Sequence, residues 1–435
     1  MKLWKFAANQ QVRGSAILSV ARIMTMVFGL GANMFLARIL PLNLLGEYFL
    51  VASVVQVGAL VAMGGVSQSA VPLLSGAASD SMRPILRGIG IYAGLTIVGS
   101  GLLVYFLFNT LALLIGVTAQ GSGFAALVAV WLFARALAQV IAHILRAFGM
   151  MTLFGLFETL LFNGLFLVVV AAYFLLDLHP DLNTVLVATT LTALVVIPPS
   201  LIPLWRLIRS IPLSGGVFLR DAVHISLPLW VMIVANTALA DAHLWIVGAL
   251  GSSNNAALFG AAIRVVRLIG LPLLAVNMAI GPRVAGLWRQ GKIAELQYLL
   301  RMTATFVMLI SVAVSCLFLL LGPETLQIMF GASFTAAWPA FLILLGGRVL
   351  NAITGSPILL MTVSSAQRPA MIFSIVSGAV GVGLSIFLGR INPLIGVSIG
   401  SAATVIVQNV LAVTYCWRRL GIQTLPLLWV ERQKK

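Results

Sequence analysis

The chain has 435 residues, of which 61% are hydrophobic and only 8% are charged. This composition excludes an ordinary soluble domain and predicts an all-α protein that crosses a membrane many times. The 26 Lys and Arg residues against 10 Asp and Glu residues would indicate nucleic-acid binding in a soluble chain. In a membrane protein the same excess reflects basic cytoplasmic loops and attraction to anionic lipids, so no nucleic-acid partner is predicted.

Apolar runs long enough to cross a bilayer of about 30 Å recur along the chain and predict about twelve transmembrane helices. The first six runs extend over Gly14 to Ala37, Tyr48 to Leu74, Gly88 to Phe108, Phe124 to Leu145, Phe154 to Leu176 and Val185 to Ile208. The second six extend over Ala222 to Val247, Ala257 to Ile280, Leu299 to Leu321, Ala337 to Val363, Met371 to Leu388 and Leu394 to Cys416. The first run is too long for a signal-peptide core, so we expect it to remain as a membrane helix.

A basic loop from Arg209 to Arg220 divides the chain into two predicted six-helix lobes, residues 1–210 and residues 211–435. A faint internal repeat sets Arg135 of the fourth predicted helix against Arg348 of the tenth. Six helices preserve chain direction, so two such repeats would be parallel. We therefore expect a substrate site in a central cavity between the lobes.

The basic residues of the connecting loops fall almost entirely on one predicted side of the membrane. Arg38 and Arg390 are the exceptions. This bias predicts that both termini are cytoplasmic. Because all connections are short, no extramembrane catalytic domain is predicted, and the chain is not expected to be an enzyme.

Five arginines fall inside the predicted spans: Arg22, Arg135, Arg264, Arg267 and Arg348. Counted at about 1.5 Å per residue, the last four lie near the membrane midplane, and Arg22 lies about 10 Å from the start of its helix. Arg264 and Arg267 are spaced i, i+3 and share one helix face. A charge at the midplane costs about 3 kcal/mol or more, so it normally faces a bundle interior or a wet cavity.

Two acids, Glu158 and Asp241, share the apolar zone with these arginines and cannot neutralise them all. One interpretation is structural: each arginine forms a salt bridge or carbonyl contacts, and Arg22 with Glu158 is the foremost such pair. The interpretation we favour is a cationic cavity for an anionic ligand. Arginine suits a pyrophosphate because its planar fork donates two parallel charge-assisted hydrogen bonds to phosphate oxygens.

Other polar side chains in the spans have two interpretations each. Histidines could relay protons and asparagines could bind sugar hydroxyls, but hydrogen bonding between helices explains both residue types as well. The residues concerned are His143, His224, His243, Asn163, Asn236 and Asn277. The sequence contains no phosphate-binding loop and no metal-ligand spacing, so neither a cofactor nor a metal is predicted.

Several short segments carry a resemblance to a known family. They are Gly14-Ser15, Leu36-Ala37-Arg38-Ile39-Leu40-Pro41, Gly46-Glu47-Tyr48, Gly64-Gly65 and Leu326-Gln327-Ile328-Met329-Phe330-Gly331. In these segments, and in its helix count, the chain resembles the Wzx-type polysaccharide flippases of the multidrug/oligosaccharidyl-lipid/polysaccharide (MOP) exporter superfamily.

The resemblance implies two six-helix lobes around a V-shaped cavity. It implies a flippase that moves an undecaprenyl-pyrophosphate-linked oligosaccharide across the bacterial inner membrane by alternating access, for synthesis of O-antigen, capsule or exopolysaccharide. The five arginines would bind the pyrophosphate, and Glu158 and Asp241 are candidate coupling acids. The expected partners are the lipid-linked oligosaccharide, membrane lipids, a polysaccharide polymerase and a chain-length regulator.

Two alternatives remain open at this point. A cation-coupled multidrug exporter of the same superfamily would need acidic cavity residues, and this chain offers few. A flippase for the peptidoglycan precursor would use arginines in the same way.

Overall fold

A computed structural model of the chain describes residues 2–75, 79–211 and 219–427. Within these ranges the regular secondary structure is entirely helical. Twelve segments of the described chain are long and apolar enough to cross a membrane. The predicted all-α polytopic fold is therefore confirmed.

The helices of the first half of the chain are α1 (Lys2–Ile39), α2 (Leu42–Ala62), α3 (Val66–Ser75), α4 (Ser79–Ile115), α5 (Ser122–Ala147), α6 (Met151–Gly155), α7 (Leu161–Leu175) and α8 (Leu182–Ser210). Those of the second half are α9 (Leu219–Leu250), α10 (Ser253–Ile269), α11 (Leu271–Arg289), α12 (Ile293–Leu321), α13 (Glu324–Phe330), α14 (Trp338–Thr354), α15 (Pro357–Val363), α16 (Gln367–Gly389) and α17 (Pro393–Leu420). A π-helical turn, Leu156–Leu160, joins α6 to α7, and a 3₁₀ segment, Ala332–Ala337, precedes α14.

The described chain forms two compact units. The N-terminal unit contains the residues up to Asp241 together with Ser252–Ala257, and the C-terminal unit contains Ala242–Gly251 and the residues from Leu258 onward. The predicted division at residue 210 falls in the basic loop, whose residues 212–218 lie outside the described part of the chain. That division stays a prediction.

Each unit is built around one helix. In the N-terminal unit α5 packs against α2, α3, α4 and α8, and in the C-terminal unit α17 packs against α14, α15 and α16. Other helices expose large apolar side chains; on α4, for example, Phe106 is 72% exposed and Leu95 is 66% exposed. Such surfaces are stable only in contact with lipid, which agrees with a membrane-spanning bundle.

The second predicted span, Tyr48 to Leu74, is not one continuous helix. It breaks between α2 and α3 at Gly64 and Gly65, whose φ angles are +56° and +84°. The hydroxyl of Tyr92 donates to the carbonyl of Gly64 at 2.9 Å, and the indole N–H of Trp230 donates to the carbonyl of Val61 at 3.1 Å. These bonds satisfy backbone groups at the break, as a break within a bilayer requires.

The predicted helix from Ala257 to Ile280 is also divided. α10 ends at Ile269 and α11 begins at Leu271, with Gly270 between them and Pro272 in the first turn of α11. The N–H of Gly270 bonds to the carbonyl of Arg267 at 3.1 Å, a tightened turn that ends the α-helical pattern. Arg264 and Arg267 therefore lie at the end of a helix and not at the centre of one.

A third predicted span, Ala337 to Val363, is likewise two helices. α14 ends at Thr354, the following Gly355 has a φ angle of +70°, and α15 begins at Pro357. A Cβ atom at Gly355 would lie 2.8 Å from the Cβ of Ala304 and 2.8 Å from the carbonyl oxygen of Thr424. Both the backbone conformation and the available space therefore require glycine here.

Candidate functional site

In the N-terminal unit, Glu158 lies on the fifth membrane span beside cations from two other helices. It interacts electrostatically with Arg22 of α1 and with Arg146 and Arg135 of α5. We call these four residues the Glu158 cluster; it contains three cations and one carboxylate. The structure thus brings together three of the sequence-predicted site residues.

Arg146 is the member of the Glu158 cluster that sequence reasoning missed, because it lies one residue beyond the predicted span Phe124 to Leu145 and so counts among the basic loop residues. It lies in the last turn of α5. Arg135 precedes it by about three helical turns, so both side chains lie on one face of α5. The spacing of Arg135 and Arg146 is therefore the feature of the sequence that could have identified Arg146 as a neighbour of Arg135.

Arg135 is held against an aromatic stack. Its guanidinium carbon lies 4.2 Å from the ring centroid of Phe162, and Phe162 stacks on Phe166 at 6.0 Å. Phe166 stacks on Tyr48 at 6.1 Å, and Tyr48 stacks on Trp131 at 6.2 Å. A guanidinium over a ring face is attracted by the ring quadrupole, by about 0.5–2 kcal/mol. The stack therefore fixes the position of Arg135 without removing its charge.

The π-helical turn Leu156–Leu160 carries Glu158. Single π turns within α-helices occur frequently at functional sites. The hydroxyl of Thr159 lies 3.3 Å from the hydroxyl of Thr25 on α1, and the amide of Asn163 donates to the carbonyl of Thr159 at 2.9 Å. The turn is thus tied to α1 by Thr159 and to the next turn of its own span by Asn163.

His143 is a buried neighbour of the Glu158 cluster. Its ring lies 5.0 Å from the ring of Phe154, and it interacts electrostatically with Arg146 and Arg22. Within the part of the chain that the structure describes, its Nδ1 atom has no hydrogen-bond partner. The ring therefore packs among cations and an aromatic side chain, and its Nδ1 atom forms no hydrogen bond between the described helices.

The C-terminal unit contains the other three predicted arginines. The Nη1 atom of Arg264 donates to the carbonyl of Gly260, one turn earlier in α10, at 2.8 Å. Arg267 lies in the last turn of α10, where the helix dipole favours a cation. Arg264 is thus partly engaged with its own helix, as the structural interpretation expected, while Arg267 lies beside another cation.

That other cation is Arg348, which is half-buried on α14 and interacts electrostatically with Arg267. The carboxylates of this unit's described residues, Glu295 and Glu324, lie in the first turns of α12 and α13. Among the described residues, no carboxylate forms an ion pair with Arg348. This part of the unit therefore combines like charges within an apolar environment.

Asp241 and His243 lie two residues apart on α9. Asp241 is buried. The ring nitrogens of His243 lie 2.9 Å from the hydroxyl of Ser385 and 3.1 Å from the hydroxyl of Thr404. Because both nitrogens are used, His243 joins helices of the C-terminal unit, which agrees with the packing interpretation.

The Gly46-Glu47-Tyr48 segment has a structural role. A Cβ atom at Gly46 would lie 1.7 Å from the carbonyl oxygen of Ser253, so α2 passes directly against that backbone. The buried carboxylate of Glu47 accepts hydrogen bonds from the hydroxyl of Thr118 and, at 3.2 Å, from the backbone N–H of Ala119. This segment therefore fixes the packing of α2 and the loop before α5.

No protein-family model and no curated protein sequence matches the chain. Solved structures do. An inward-facing multidrug resistance MATE family transporter of the MOP superfamily has a TM-score of 0.73 and 16% identity, with 94% of this chain and 98% of that chain covered. Lipid II flippase MurJ in an inward closed conformation has a TM-score of 0.71 and 13% identity, with 92% and 87% covered.

A MOP superfamily transporter from Pyrococcus furiosus has a TM-score of 0.63 and 16% identity, with 95% of each chain covered. The reversed polarity of its binding pocket suggests a different function for that transporter. At these identities the likeness concerns the fold. This multi-pass membrane protein has the fold of the MATE and MurJ transporters of the MOP superfamily.

Proposed function

We propose that this protein is a flippase that moves an undecaprenyl-pyrophosphate-linked oligosaccharide across the bacterial inner membrane by alternating access, for synthesis of a cell-surface polysaccharide. The observation that carries the proposal is the excess of arginine over carboxylate within the membrane spans. It is clearest at Arg348, which has a like charge beside it and, among the described residues, no carboxylate partner. Such a group needs water or an anionic ligand.

The chemistry of the passenger matches that need. Each guanidinium can donate two parallel hydrogen bonds to phosphate oxygens, and these charge-assisted bonds are about twice as strong as neutral ones. Each unit supplies arginines: Arg22 and Arg135 in one, and Arg264, Arg267 and Arg348 in the other. Since a ligand favours one conformation only through differential affinity, these arginines contact the pyrophosphate differently in the inward and outward states.

Glu158 has a distinct part in this proposal. In the absence of the passenger its carboxylate offsets part of the charge of Arg22, Arg135 and Arg146. A bound pyrophosphate competes with it for these cations. Glu158 is therefore a candidate coupling acid, and the buried Asp241 is the second.

Two other functions are compatible with the fold. The likeness to a multidrug resistance MATE transporter favours a drug exporter, but a cationic drug requires acidic binding residues, and arginine predominates here. The likeness to lipid II flippase MurJ favours a peptidoglycan-precursor flippase, whose lipid-linked passenger would also suit the arginines. The fold tolerates pockets of different polarity, since the Pyrococcus furiosus transporter is described as having a reversed one.

The test replaces Arg135 and Arg348 one at a time by Ala and by Lys in the full chain, reconstituted in vesicles. Uptake of a labelled undecaprenyl-pyrophosphate-linked sugar is measured. Removing a desolvated cation from a bound phosphate costs about 2–5 kcal/mol, so each Ala variant is expected to lose more than tenfold in uptake. The Lys variants should keep part of the activity because the charge remains, although the two parallel bonds are lost.

Arg209→Ala is the matched control. Arg209 is exposed and packs over Trp205 at the end of α8, with its guanidinium carbon 3.6 Å from the ring centroid. Uptake by the Arg209→Ala variant should therefore stay at the wild-type level. Full uptake in both the Arg135 and the Arg348 Ala variants would contradict the proposal. Export of a cationic dye that survives these substitutions but is lost in Glu158→Gln would support the drug exporter instead.

A further inference from the structure

A recess of about 670 Å³ lies within the C-terminal unit, between α12, α14 and α17. Small residues of α14 and α17 leave the space open, among them Gly346, Gly347 and Ala403, and branched side chains such as Val312 and Ile406 form its walls. A volume of this size is within the range of pockets that bind small molecules or segments of larger ones. We call it the α14 recess.

The α14 recess offers little hydrogen bonding to an occupant. Of its lining side chains, those of Ser315 and Cys316 carry a polar atom. The Ser315 hydroxyl already donates to the carbonyl of Ser311 in its own helix at 2.6 Å, and a thiol is only a weak donor. The recess therefore matches a hydrocarbon and would disfavour a sugar or a phosphate.

The depth of the α14 recess indicates which part of the bilayer it serves. On α12 it begins at Leu319, about 3 Å from the helix end, and on α14 it extends from Leu342 to Leu350, about 12 Å along the helix axis. This length covers less than half of a hydrocarbon core of about 30 Å. The recess thus lies mainly in one leaflet, with its inner end at the depth of Arg348 near the midplane, and the distribution of basic loops predicts this leaflet to be the outer one.

α14 presents two different chemistries on opposite faces. Gly346, Val349 and Leu350 line the recess, whereas Arg348 is not among its lining residues and lies beside Arg267. Successive helix residues are rotated by about 100°, so Arg348 projects from the face opposite the recess. A molecule that joins a pyrophosphate to a long hydrocarbon chain could place its two ends on the two sides of this helix.

We infer that the α14 recess binds a segment of the polyprenyl tail of the passenger lipid in the outer leaflet. This inference rests on the proposed function and adds to it a binding site for the tail. The headgroup is bound by arginines, and the recess holds the tail on the release side. The tail is then part of what the protein recognises.

The test blocks the recess without changing an arginine. A Cβ atom at Gly346 meets nothing within 4 Å, so Gly346→Leu extends into open space and the fold should persist. Gly383→Leu is the matched control: Gly383 is exposed on α16, its Cβ would also meet nothing within 4 Å, and it does not line the recess. Both variants and the wild type are reconstituted in nanodiscs with undecaprenyl phosphate that carries a photoreactive group in its tail.

Crosslinks in the peptides of α14 and α17 are quantified by mass spectrometry. We expect these crosslinks in the wild type and in Gly383→Leu, and about tenfold fewer in Gly346→Leu. A tenfold loss of binding corresponds to about two methylene groups of the tail that no longer contact the protein. Equal labelling of the two variants would overturn the inference. Unlabelled undecaprenyl phosphate should reduce the crosslinking of the labelled lipid. If phosphatidylglycerol reduces it equally, the recess binds lipid tails in general. If two copies of the protein crosslink across this face, the recess is an interface between copies.

A second measurement does not depend on Gly346. The chain has two cysteines, of which Cys316 is exposed and lines the recess while Cys416 is buried. In Cys416→Ser, undecaprenyl phosphate should slow the alkylation of Cys316 by a membrane-permeant maleimide about tenfold, by the same contact argument. An unchanged rate would contradict tail binding.

The uptake assay separates this inference from the proposed function. Wild-type uptake of the lipid-linked sugar without tail crosslinks in α14 and α17 would overturn the tail site and leave the flippase proposal standing. Specific tail crosslinks without uptake would support a polyprenyl-binding site and overturn the flippase proposal.

Discussion

The arginines differ in their neighbours more than in their depth. Arg264 bonds to a carbonyl of its own helix, Arg135 lies over a phenylalanine ring, and Arg348 lies beside Arg267. All were predicted from one property, a cation within an apolar run. The surroundings, which arise from other helices, decide which of them is held structurally and which remains suited to an anionic ligand.

Gly46 provides a prediction about a single residue. In Gly46→Ala the new methyl group would lie 1.7 Å from the Ser253 carbonyl oxygen, a backbone atom that cannot move alone. Overpacking of this kind costs about 1–3 kcal/mol, so the variant should unfold at a lower temperature in detergent. Gly94→Ala on α4, where the added Cβ meets nothing within 4 Å, is the control. Equal melting temperatures would show that α2 does not pack as described.

The helix pair α16 and α17 owes its close approach to small residues spaced four apart. Gly381, Ser385 and Gly389 lie along α16, and Gly396 and Gly400 lie along α17. A Cβ atom at Gly400 would lie 2.1 Å from the Ser385 hydroxyl oxygen and 2.5 Å from the Gly381 carbonyl oxygen. In lipid, where burial of apolar surface does not drive association, this close packing stabilises the pair.

We predict that Gly400→Ala separates α16 from α17 and lowers the thermal stability of the protein. The expected loss is about 1–3 kcal/mol because backbone atoms of two helices must move apart. Gly383→Ala on α16, with open space around its Cβ, should leave the stability unchanged. Thermal unfolding in one detergent is the measurement. A larger loss in Gly383→Ala than in Gly400→Ala would contradict this account of the pair.

Breaks within spans are the other feature that individual helices contribute. The positive φ angles of Gly64 and Gly65 end α2, and the π-helical turn Leu156–Leu160 interrupts the fifth span. Each break turns polar groups toward neighbouring helices, where Tyr92, for example, satisfies the carbonyl of Gly64. Irregular backbone in a bilayer is tolerated where such partners exist.

The orientation of the protein in the membrane is a property of the whole chain. The excess of Lys and Arg on one predicted side predicts that both termini are cytoplasmic. A fluorescent protein fused after Lys435 should therefore fold and fluoresce in bacteria. Alkaline phosphatase inserted after His179, in the turn between α7 and α8, should be active because it would be exported. The reverse pattern of the two reporters would contradict the orientation and would place the α14 recess in the inner leaflet.

The sequence by itself determined the fold class, the number of spans and the excess of intramembrane cations. These follow from hydrophobicity and charge along the chain. The free-energy cost of exposing an apolar segment to water, or of placing a charge in the bilayer, is large enough to override local helix propensities. The continuity of single spans was predicted less accurately. The span from Ala257 to Ile280 proved to be two helices that meet at Gly270.

The sequence suggested Arg22 and Glu158 as a pair, but only the tertiary structure decided which other side chains join them. Arg146 joins Arg22 and Glu158 although more than a hundred residues separate the first two in the chain, and no local periodicity encodes that distance. The α14 recess likewise needs three helices to leave a space between them. Such features depend on how side chains from distant segments fill or leave volume, which packing determines and one-dimensional patterns do not record.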